Sequence, residues 1–492
     1  MTTEDNAVTA RVDGVEVATG HFIGGKRRDS TEVFEVHSPI DGKHLANVSR
    51  GTAADIDDAV AAAKAAFPAW AALGPEGRYP YLIRFAELIL EHRDELATVE
   101  TADVGMGLQM TRTHMVDRSS RNIRFFADLA LKINDRVIDS PEVTNYVRFD
   151  PSGVSALITP WNGPLMLTTW KIGPCLAAGN TAVVKPPEWA PLTCSLLADL
   201  IAEAGIPDGV VNFVQGFGAE AGQALVEHKD IRRISFTGSP QTAKTIARAA
   251  ADRLVPTSFE LGGKSPNIVF ADADLDLAVN HAVVAFRSGG QGCTNGTRLL
   301  VEESIAEEFE RRLTETAAKM AVGDPRDPAT QLGPLIHPVH RDRVQGFVDR
   351  AVEDGAEIAW GGGTFDQGEL FYKPTLVKNI RRGMEIEQRE VFGPVVTWQT
   401  FRTEDEAIDL ANSTEYGLSS EVFTQSEERA MRMAARIRSG MVWVNCYMVR
   451  ELAAPFGGLG LSGIGREGGE WSFDFYCDIK NIAVRKESLP RD

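Results

Sequence analysis

The strongest constraint on the fold is a regular alternation of short apolar stretches with helical stretches that begins near residue 154. Helices are predicted between the strands and over 240–252. The predicted strands are 154–158, 181–185, 210–214 and 231–236. Strands that alternate with helices form βαβ units, so the sequence predicts an open parallel sheet with ligands at the carboxyl ends of its strands.

The alternation continues beyond residue 260 and predicts a second α/β domain. A chain of 492 residues is too long for one hydrophobic core, so two or three domains are expected. Near the start of the chain, Thr52 and Asp55 have the spacing of a capping box, which predicts the first residues of a helix. The strands expected in the second half are 267–270, 298–302, 391–401 and 440–445, and the helices are 274–286, 304–321 and 338–353.

Charge and cysteine usage exclude several classes of function. The net charge of −18 argues against general binding to nucleic acid or to anionic membrane surfaces. The five cysteines contain no CxxC pair and the histidines are not clustered, so neither a disulfide framework nor a metal site is expected. No apolar run reaches the roughly 18 residues that span a bilayer, and the first residues lack the apolar core of a signal peptide. The expected compartment is the cytoplasm.

One cysteine, Cys293, lies in the glycine-rich run GGQGCT at 289–294. Small neighbours let the backbone and a ligand approach its sulfur closely. A thiolate is a strong nucleophile, so Cys293 is a candidate for covalent catalysis. Taken alone, a cysteine that only fills a buried gap is the commoner case, and the rest of the chain has to decide between the two.

Polar residues elsewhere could complete such a site. Glu260 precedes Leu-Gly-Gly, where a carboxyl group can lie near a cleft and act as a general base. Asn162 follows the first strand, and its side-chain amide could donate to an oxyanion, as could the backbone N–H of Cys293. Considered singly, Glu260 could instead form a structural ion pair and Asn162 a turn.

Seven motifs, taken together and in this order, identify a family resemblance. They are TPWN at 159–162, KPPE at 185–188, FTGS at 236–239, ELGGKSP at 260–266, GQGC at 290–293, EVFGP at 390–394, and PFGG with SGIGRE ending at Glu467. This set resembles the aldehyde dehydrogenase superfamily from about residue 22 to the C-terminus. The resemblance implies NAD(P)-dependent oxidation of an aldehyde to a carboxylic acid, with Cys293 as the nucleophile.

The resemblance also implies the order of the chemical steps. Cys293 would attack the carbonyl to give a thiohemiacetal, whose oxyanion is held by Asn162 and the Cys293 N–H. Hydride would pass to the nicotinamide and leave a thioester. Glu260 would activate the water that hydrolyses this thioester, so the product would be a free acid and not an acyl-CoA.

The matched positions imply a set of cofactor contacts. Lys185 and Glu188 match the pair at the adenosine ribose, and a carboxylate there favours NAD over NADP because it repels a 2′-phosphate. Ser239, at a helix start, would meet the pyrophosphate, while Glu390 and Phe392 match positions at the nicotinamide ribose and ring. The full set of expected contacts is Thr159, Trp161, Lys185, Glu188, Gly238, Ser239, Glu390 and Phe392.

Several arginines bear on the class of substrate. The segment 114–128 looks like the branch of the family that oxidises hydroxymuconic and related semialdehydes, whose carboxylate suits an arginine partner. Arg118 and Arg450 match basic positions of that branch, Arg287 is a third candidate, and Ala453 replaces an arginine often found there. Plain aromatic or aliphatic aldehydes remain open as substrates.

The expected architecture has three parts. A Rossmann-like, open parallel-sheet NAD-binding domain comprises 1–129 and 150–258, and an α/β catalytic domain comprises 259–460. Residues 130–149 and 461–492 supply strands that resemble the family's oligomerisation element, together with the C-terminal tail. Because exposed strand edges need covering, a homodimer or homotetramer is expected.

Two other interpretations belong to different classes of protein. A cysteine hydrolase would pair Cys293 with a histidine, but no histidine motif lies near it and the strand-end residues Glu188 and Ser239 would be unexplained. A catalytically inert binding protein on the same fold would not need Cys293, Glu260 and Asn162.

Overall fold

The computed structural model of the chain describes residues 8–133 and 136–486. Its strands, in chain order, are β1 Thr9–Val12, β2 Val15–Ala18, β3 His21–Ile23, β4 Lys26–Arg28, β5 Val33–His37, β6 His44–Ser49, β7 Arg136–Asp139, β8 Val143–Pro151, β9 Val154–Ile158, β10 Thr181–Lys185, β11 Val211–Phe213, β12 Ile231–Gly238, β13 Thr257–Leu261, β14 Pro266–Val269, β15 Arg298–Glu302, β16 Glu357–Trp360, β17 Thr375–Lys378, β18 Val395–Phe401, β19 Ser419–Phe423, β20 Met441–Val444, β21 Gly463–Ile464 and β22 Cys477–Arg485.

The α-helices surround these strands. In chain order they are α1 Ala53–Ala72, α2 Gly74–Glu91, α3 Arg93–Val104, α4 Leu108–Met110, α5 Val116–Ala130, α6 Pro164–Ala177, α7 Leu192–Glu203, α8 Gln223–Glu227, α9 Pro240–Ala251, α10 Leu275–Ala282, α11 Ala306–Ala317, α12 Pro338–Glu353, α13 Glu385–Gln388, α14 Glu404–Ala411, α15 Glu427–Arg436 and α16 Gly469–Tyr476. None of the helices in the described ranges is long and apolar enough to cross a membrane.

The first large sheet has the order β21-β13-β12-β9-β10-β11-β3-β4. Its five central strands, β13 to β11 in that order, are parallel. Strand β9 is the middle one of these five strands. Every one of its residues is buried, as expected for a strand covered by helices on both faces. The strand order reverses beside β9, and ligands of such sheets bind at that reversal, outside the carboxyl ends of the strands.

The second large sheet has the order β16-β17-β18-β15-β14-β19-β20 and is parallel except for β16. A third sheet, of order β22-β8-β7, is antiparallel. The predicted parallel α/β sheets are therefore present. The short strand β21, which falls in the segment 461–492, pairs with β13 of the first sheet. The domain boundaries drawn from the sequence remain a prediction. Of the residues assigned to those domains, 1–7, 134, 135 and 487–492 lie outside the described ranges.

Two predicted elements differ from the structure for local reasons. The helix expected over 274–286 ends as an α-helix at Ala282 and continues as a 3-10 helix, because Ser288 and Gly289 have left-handed φ values of 50° and 67°. The strand expected over 391–401 begins only at Val395, because Phe392 has φ of 60° and Pro394 follows Gly393. Both departures fall in segments that shape the candidate site.

Candidate active site

The cysteine loop, residues 289–294, is in close contact with two other backbone segments. A side chain on Gly290 would place its Cβ 2.3 Å from the carbonyl carbon of Gly393. A side chain on Gly263 would place its Cβ 2.5 Å from the carbonyl oxygen of Cys293. Gly290 also has φ of 68°, so glycine is required there by conformation as well as by crowding. The Cys293 residue itself is partly exposed.

Side chains from several elements fix this loop. Asn162, just before α6, donates from Nδ2 to the carbonyl oxygen of Gln291 at 3.0 Å. The Gln291 side chain in turn accepts from the N–H of Ile336 at 2.8 Å. The Tyr447 hydroxyl donates to Asn295 Oδ1 at 2.9 Å. Asn162 therefore contacts the loop, whereas no local pattern indicates a supporting role for Gln291 or Tyr447.

The electrostatic surroundings of Cys293 oppose ionisation of its thiol. Burial, followed by the negative charges of Glu390 and Glu260, raises the pKa of Cys293 to about 12, and Arg450 acts in the opposite direction. The thiol form is therefore favoured in this arrangement. A base or an added positive charge has to assist removal of the proton.

Glu260 lies in β13, and its side chain is buried. Neither carboxylate oxygen has a hydrogen-bond partner among the described residues. Its Oε1 faces Gly457, where a Cβ would lie 2.8 Å away. Burial and then the nearby charge of Glu467 hold the pKa of Glu260 well above its usual range, although Lys171 and Arg450 lower it. Glu260 is therefore a carboxyl group that binds a proton more readily than an ordinary glutamate does.

A buried ionic network lies behind Glu260. Glu467 accepts a hydrogen bond from Trp170 Nε1 at 2.6 Å and one from Lys171 Nζ at 2.9 Å. Lys171 also donates to Ser235 Oγ at 2.8 Å. In the sequence, Glu467 is only the last residue of a motif, and no local pattern connects it to Lys171, 296 positions away.

Residues predicted to contact the adenosine ribose and the pyrophosphate follow the carboxyl ends of β10 and β12 in the first sheet. Lys185 Nζ and Glu188 Oε2 are 2.6 Å apart, with Lys185 buried and Glu188 partly exposed. Burial acts to raise the pKa of Glu188, but the charge and hydrogen bond of Lys185 lower it overall, so Glu188 is ionised. Ser239 caps α9, since its Oγ accepts from the N–H of Thr242 at 3.2 Å. Gly238 precedes that cap, and a Cβ there would meet the Phe236 ring.

Three aromatic rings, those of Trp161, His340 and Phe392, lie in contact with one another. The Trp161 ring is 5.3 Å from the Phe392 ring and 5.2 Å from the His340 ring. Glu390 Oε1 accepts from the N–H of Gly263 at 2.9 Å, and burial raises the pKa of Glu390 to about 7. Thr159, another predicted cofactor contact, is buried, and its hydroxyl has no hydrogen-bond partner among residues 8–133 and 136–486.

Two of the three predicted substrate arginines converge on Trp170. The guanidinium carbon of Arg450 lies 4.3 Å from the centre of the Trp170 ring and 3.7 Å from that of Phe456. The guanidinium carbon of Arg118 lies 5.5 Å from the same Trp170 ring. Arg287, by contrast, has an exposed side chain, and the structure does not bring it to Trp170.

Arg118 and Arg450 both stay charged at neutral pH, although burial lowers the pKa of each. Burial, with a smaller effect of Arg450, lowers the pKa of Arg118 to about 9. Burial likewise lowers the pKa of Arg450 to about 10, opposed by Glu467, Glu260 and Cys293. The Nη2 atom of Arg450 is buried and has no hydrogen-bond partner in the described part of the chain. A buried guanidinium with an unused donor fits an anionic ligand.

The chain is similar to known proteins over nearly its whole length. The profile of the "Aldehyde dehydrogenase family" matches residues 26–482. The chain is 42% identical, over 92% of its length and 98% of the relative, to 5-carboxymethyl-2-hydroxymuconate semialdehyde dehydrogenase of Escherichia coli. It is 40% identical, over 94% of its length and 99% of the relative, to 2-hydroxymuconic semialdehyde dehydrogenase of Pseudomonas sp. (strain CF600).

A solved structure shows the same fold. It is a mutant of the P. syringae indole-3-acetaldehyde dehydrogenase AldA in complex with NAD+ and IAA. The match has a TM-score of 0.94 at 37% identity and covers 96% of this chain and 98% of that chain.

Proposed function

The chain belongs to the aldehyde dehydrogenase family, and from that premise we propose that it oxidises an aldehyde to a carboxylic acid with NAD as the hydride acceptor. The comparisons confirm the family that the seven motifs indicated and the predicted α/β fold class. One observation carries the proposal for the site. Cys293 is a partly exposed residue in a loop that Asn162 contacts. The charge of Glu260 influences the pKa of its thiol.

The proposed reaction assigns a task to each of these groups. The thiol proton of Cys293 passes to solvent, the thiolate adds to the carbonyl carbon, and the carbonyl oxygen becomes an oxyanion. One hydrogen of Asn162 Nδ2 is bonded to Gln291, which leaves the second for that oxyanion, beside the N–H of Cys293. NAD, when bound, supplies the hydride acceptor that turns the adduct on Cys293 into a thioester. Glu260 takes a proton from the water that attacks this thioester, and the free acid leaves.

The residues at the carboxyl edge of the first sheet fit NAD. Glu188 is ionised and fixed by Lys185, so it can accept a hydrogen bond from a 2′-hydroxyl and would repel a 2′-phosphate. Ser239 and the N-terminus of α9 would hold the pyrophosphate. Glu390 and Phe392 would hold the nicotinamide ribose and ring, with Thr159, Trp161 and Gly238 lining the same cleft.

The proposed substrate is a semialdehyde that carries a carboxylate. The charged guanidinium groups of Arg118 and Arg450 support this class, since both lie over Trp170 and one has an unused buried donor. Two relatives whose names state semialdehydes of this kind support it as well. Arg287 has no assigned part in this proposal, because its side chain is exposed.

Assembly and compartment are also part of the proposal. The β22-β8-β7 sheet exposes large apolar side chains, namely Val137, Ile138, Tyr146, Ile479 and Ile482. An exposed apolar sheet with open edges needs a partner, so we propose a homodimer or a homotetramer built through this sheet. We also propose that the protein works in the cytoplasm, where its five thiols stay reduced.

The test is a panel of carboxylated and neutral aldehydes assayed with NAD and with NADP, following reduced nicotinamide by absorbance. The expected result is reduction of NAD in preference to NADP, with the highest kcat/KM for a carboxylated semialdehyde. Absence of reduction with every aldehyde would contradict the proposed activity. Hydrolysis of an ester without any NAD-linked oxidation would instead favour the cysteine hydrolase.

A further inference from the structure

One face of α12 holds four consecutive residues of the loop 390–393. His340 Nε2 lies 2.7 Å from the carbonyl oxygen of Phe392. Arg343, one turn further along, donates from Nη1 to the carbonyl oxygen of Val391 at 2.9 Å and from Nη2 to that of Glu390 at 2.7 Å. Three successive carbonyl oxygens therefore accept hydrogen bonds from two side chains of one helix.

The same face also packs against the end of the loop. Val344 is buried beneath Gly393, where a Cβ would lie 2.8 Å from a methyl group of Val344. Residues 340, 343 and 344 share one side of an α-helix because of its periodicity. The whole loop 390–393 is thus held from one side by a rigid element that comes from a different part of the second α/β unit.

The loop has a backbone conformation that needs such support. Phe392 is a non-glycine residue with φ of 60°, in the left-handed region that disfavours bulky side chains. Its ring nevertheless meets the Trp161 ring nearly at right angles, at 5.3 Å. His340 joins this contact, since its own ring lies 5.2 Å from that of Trp161. The strained backbone and the ring position are therefore set by the same side chain.

The loop 390–393 also contacts residues of the candidate active site. Glu390 Oε1 accepts from the N–H of Gly263 at 2.9 Å. The backbone of Gly393 lies against Gly290 of the cysteine loop so closely that no side chain fits between them. A displacement of the loop would therefore move the proposed nicotinamide contacts and the nucleophile loop together.

We propose that His340 and Arg343 are positioning residues, which hold Glu390 and Phe392 in the geometry that receives the nicotinamide half of NAD. This inference rests on the proposed function. Neither residue is assigned a contact with the cofactor or the substrate, and both act through backbone carbonyl groups of the loop.

The chemistry of His340 suits a permanent support. Burial lowers the pKa of His340 to about 4, so its ring is neutral at physiological pH. Because a carbonyl oxygen can only accept, Nε2 carries the hydrogen of the neutral ring. A glutamine can present an amide N–H in a similar direction, whereas alanine leaves the Phe392 carbonyl oxygen without a donor.

The test compares His340→Ala, His340→Gln and Arg343→Ala with Val339→Ala, a control at an exposed position of α12. The first measurement is hydrogen exchange of the peptide that covers 390–395 in the protein without added ligand. The second is the Kd for NAD, from quenching of tryptophan fluorescence. The third is the rate at which iodoacetamide alkylates the Cys293 thiol.

We expect His340→Ala and Arg343→Ala to raise the Kd for NAD by roughly tenfold and to speed exchange of the loop. His340→Gln is expected to recover most of both losses, and Val339→Ala to match the wild type. Alkylation should change in the two alanine variants, because the loop supports Gly290.

The inference is overturned if His340→Ala and Arg343→Ala remain folded and match Val339→Ala in both exchange and NAD affinity. If an alanine variant does not fold, Arg343→Lys replaces it in the same measurements. This variant retains the charge but cannot bond two carbonyl groups in parallel. Failure of the wild type to oxidise any aldehyde would remove the proposed function. The exchange experiment would still report whether α12 holds the loop.

Discussion

The two sides of Cys293 differ in how their polar groups are satisfied. On the proposed cofactor side, Lys185 pairs with Glu188 and Glu390 bonds to Gly263. On the proposed aldehyde side, both oxygens of Glu260 and one nitrogen of Arg450 have no partner within the described residues. On the first side the charged groups are paired within the protein, and the Thr159 hydroxyl is the polar group left without a partner among the described residues named there. The second keeps charged donor and acceptor capacity, as expected where a polar substrate and water must be handled.

Removing the thiol between the two sides should have the largest effect. Cys293→Ala is expected to lower kcat by at least about 10⁴-fold, because no other group can form the covalent adduct. The Kd for NAD, measured by fluorescence, should stay within a factor of two or so of the wild type. Cys446→Ala, at another partly exposed thiol, is the control. Residual oxidation by Cys293→Ala close to the wild-type rate would refute the covalent route.

The next largest effect is expected for the proposed base on the aldehyde side. Glu260→Gln keeps the shape of the side chain but cannot take up a proton, so hydrolysis of the thioester should slow by about 10²- to 10⁴-fold. A burst of reduced NAD followed by slow turnover should then be visible in stopped-flow absorbance. If kcat falls without a burst, Glu260 acts before the thioester forms, and its assigned step is wrong.

Arg450 and Arg118 test whether the aldehyde side selects a charged substrate. Arg450→Ala should reduce kcat/KM for a carboxylated semialdehyde by about 10- to 100-fold, because a charged hydrogen bond is lost in a buried place. The same variant should affect a neutral aldehyde far less, and Arg118→Ala should follow the same pattern more weakly. Arg121→Ala, exposed on α5, is the control. An unchanged ratio between the two substrates would remove the carboxylate from the proposal.

On the cofactor side, a single charge should determine the choice of nucleotide. Glu188→Gln removes the repulsion of a 2′-phosphate and leaves Lys185 free to attract it, so the preference for NAD over NADP should fall by about tenfold. Ratios of kcat/KM for the two nucleotides provide the measurement, with Glu220→Gln on the surface as the control. An undiminished preference would place the discrimination elsewhere.

The smallest predicted effect concerns the pH dependence of Glu260. Its pKa is raised by burial and by Glu467, so the deprotonated base becomes more abundant as pH rises, and thioester hydrolysis should accelerate with pH. Glu467→Gln removes the neighbouring negative charge and should move the midpoint to lower pH. Hydrolysis of a preformed acyl-enzyme isolates this step from thiol ionisation. A midpoint shifted upwards, or an equal shift in Glu470→Gln, would contradict the assignment.

Features with a local signal were predictable from the sequence. The capping box of Thr52 and Asp55 is present at the start of α1, and the strand at 154–158 is β9. The cysteine loop and its partners at strand ends were indicated by motifs, because the carboxyl edge of a parallel sheet brings such residues together. The role of Arg450 came only from the family resemblance.

What escaped prediction depends on contacts between distant parts of the chain. The bonds from Lys171 to Glu467 and from His340 to Phe392 join residues whose local sequence gives no sign of a partner. The left-handed backbone of Phe392 was missed for a related reason, since a phenylalanine in an apolar run is typical of a strand. Tertiary support allows that residue to depart from its propensity.

The pairing of β22 with β8 has a consequence for the order of folding during synthesis. The nine residues of β22 meet β8 along its length, from Cys477 opposite Pro151 to Arg485 opposite Val143. A ribosome must therefore translate more than three hundred further codons before β8 acquires this neighbour. Lys171 can pair with the carboxylate of Glu467 only after the 296 positions that separate them have been translated. During that interval the nascent chain carries an open strand edge and an uncompensated charge, so these contacts are among the last that can form during synthesis.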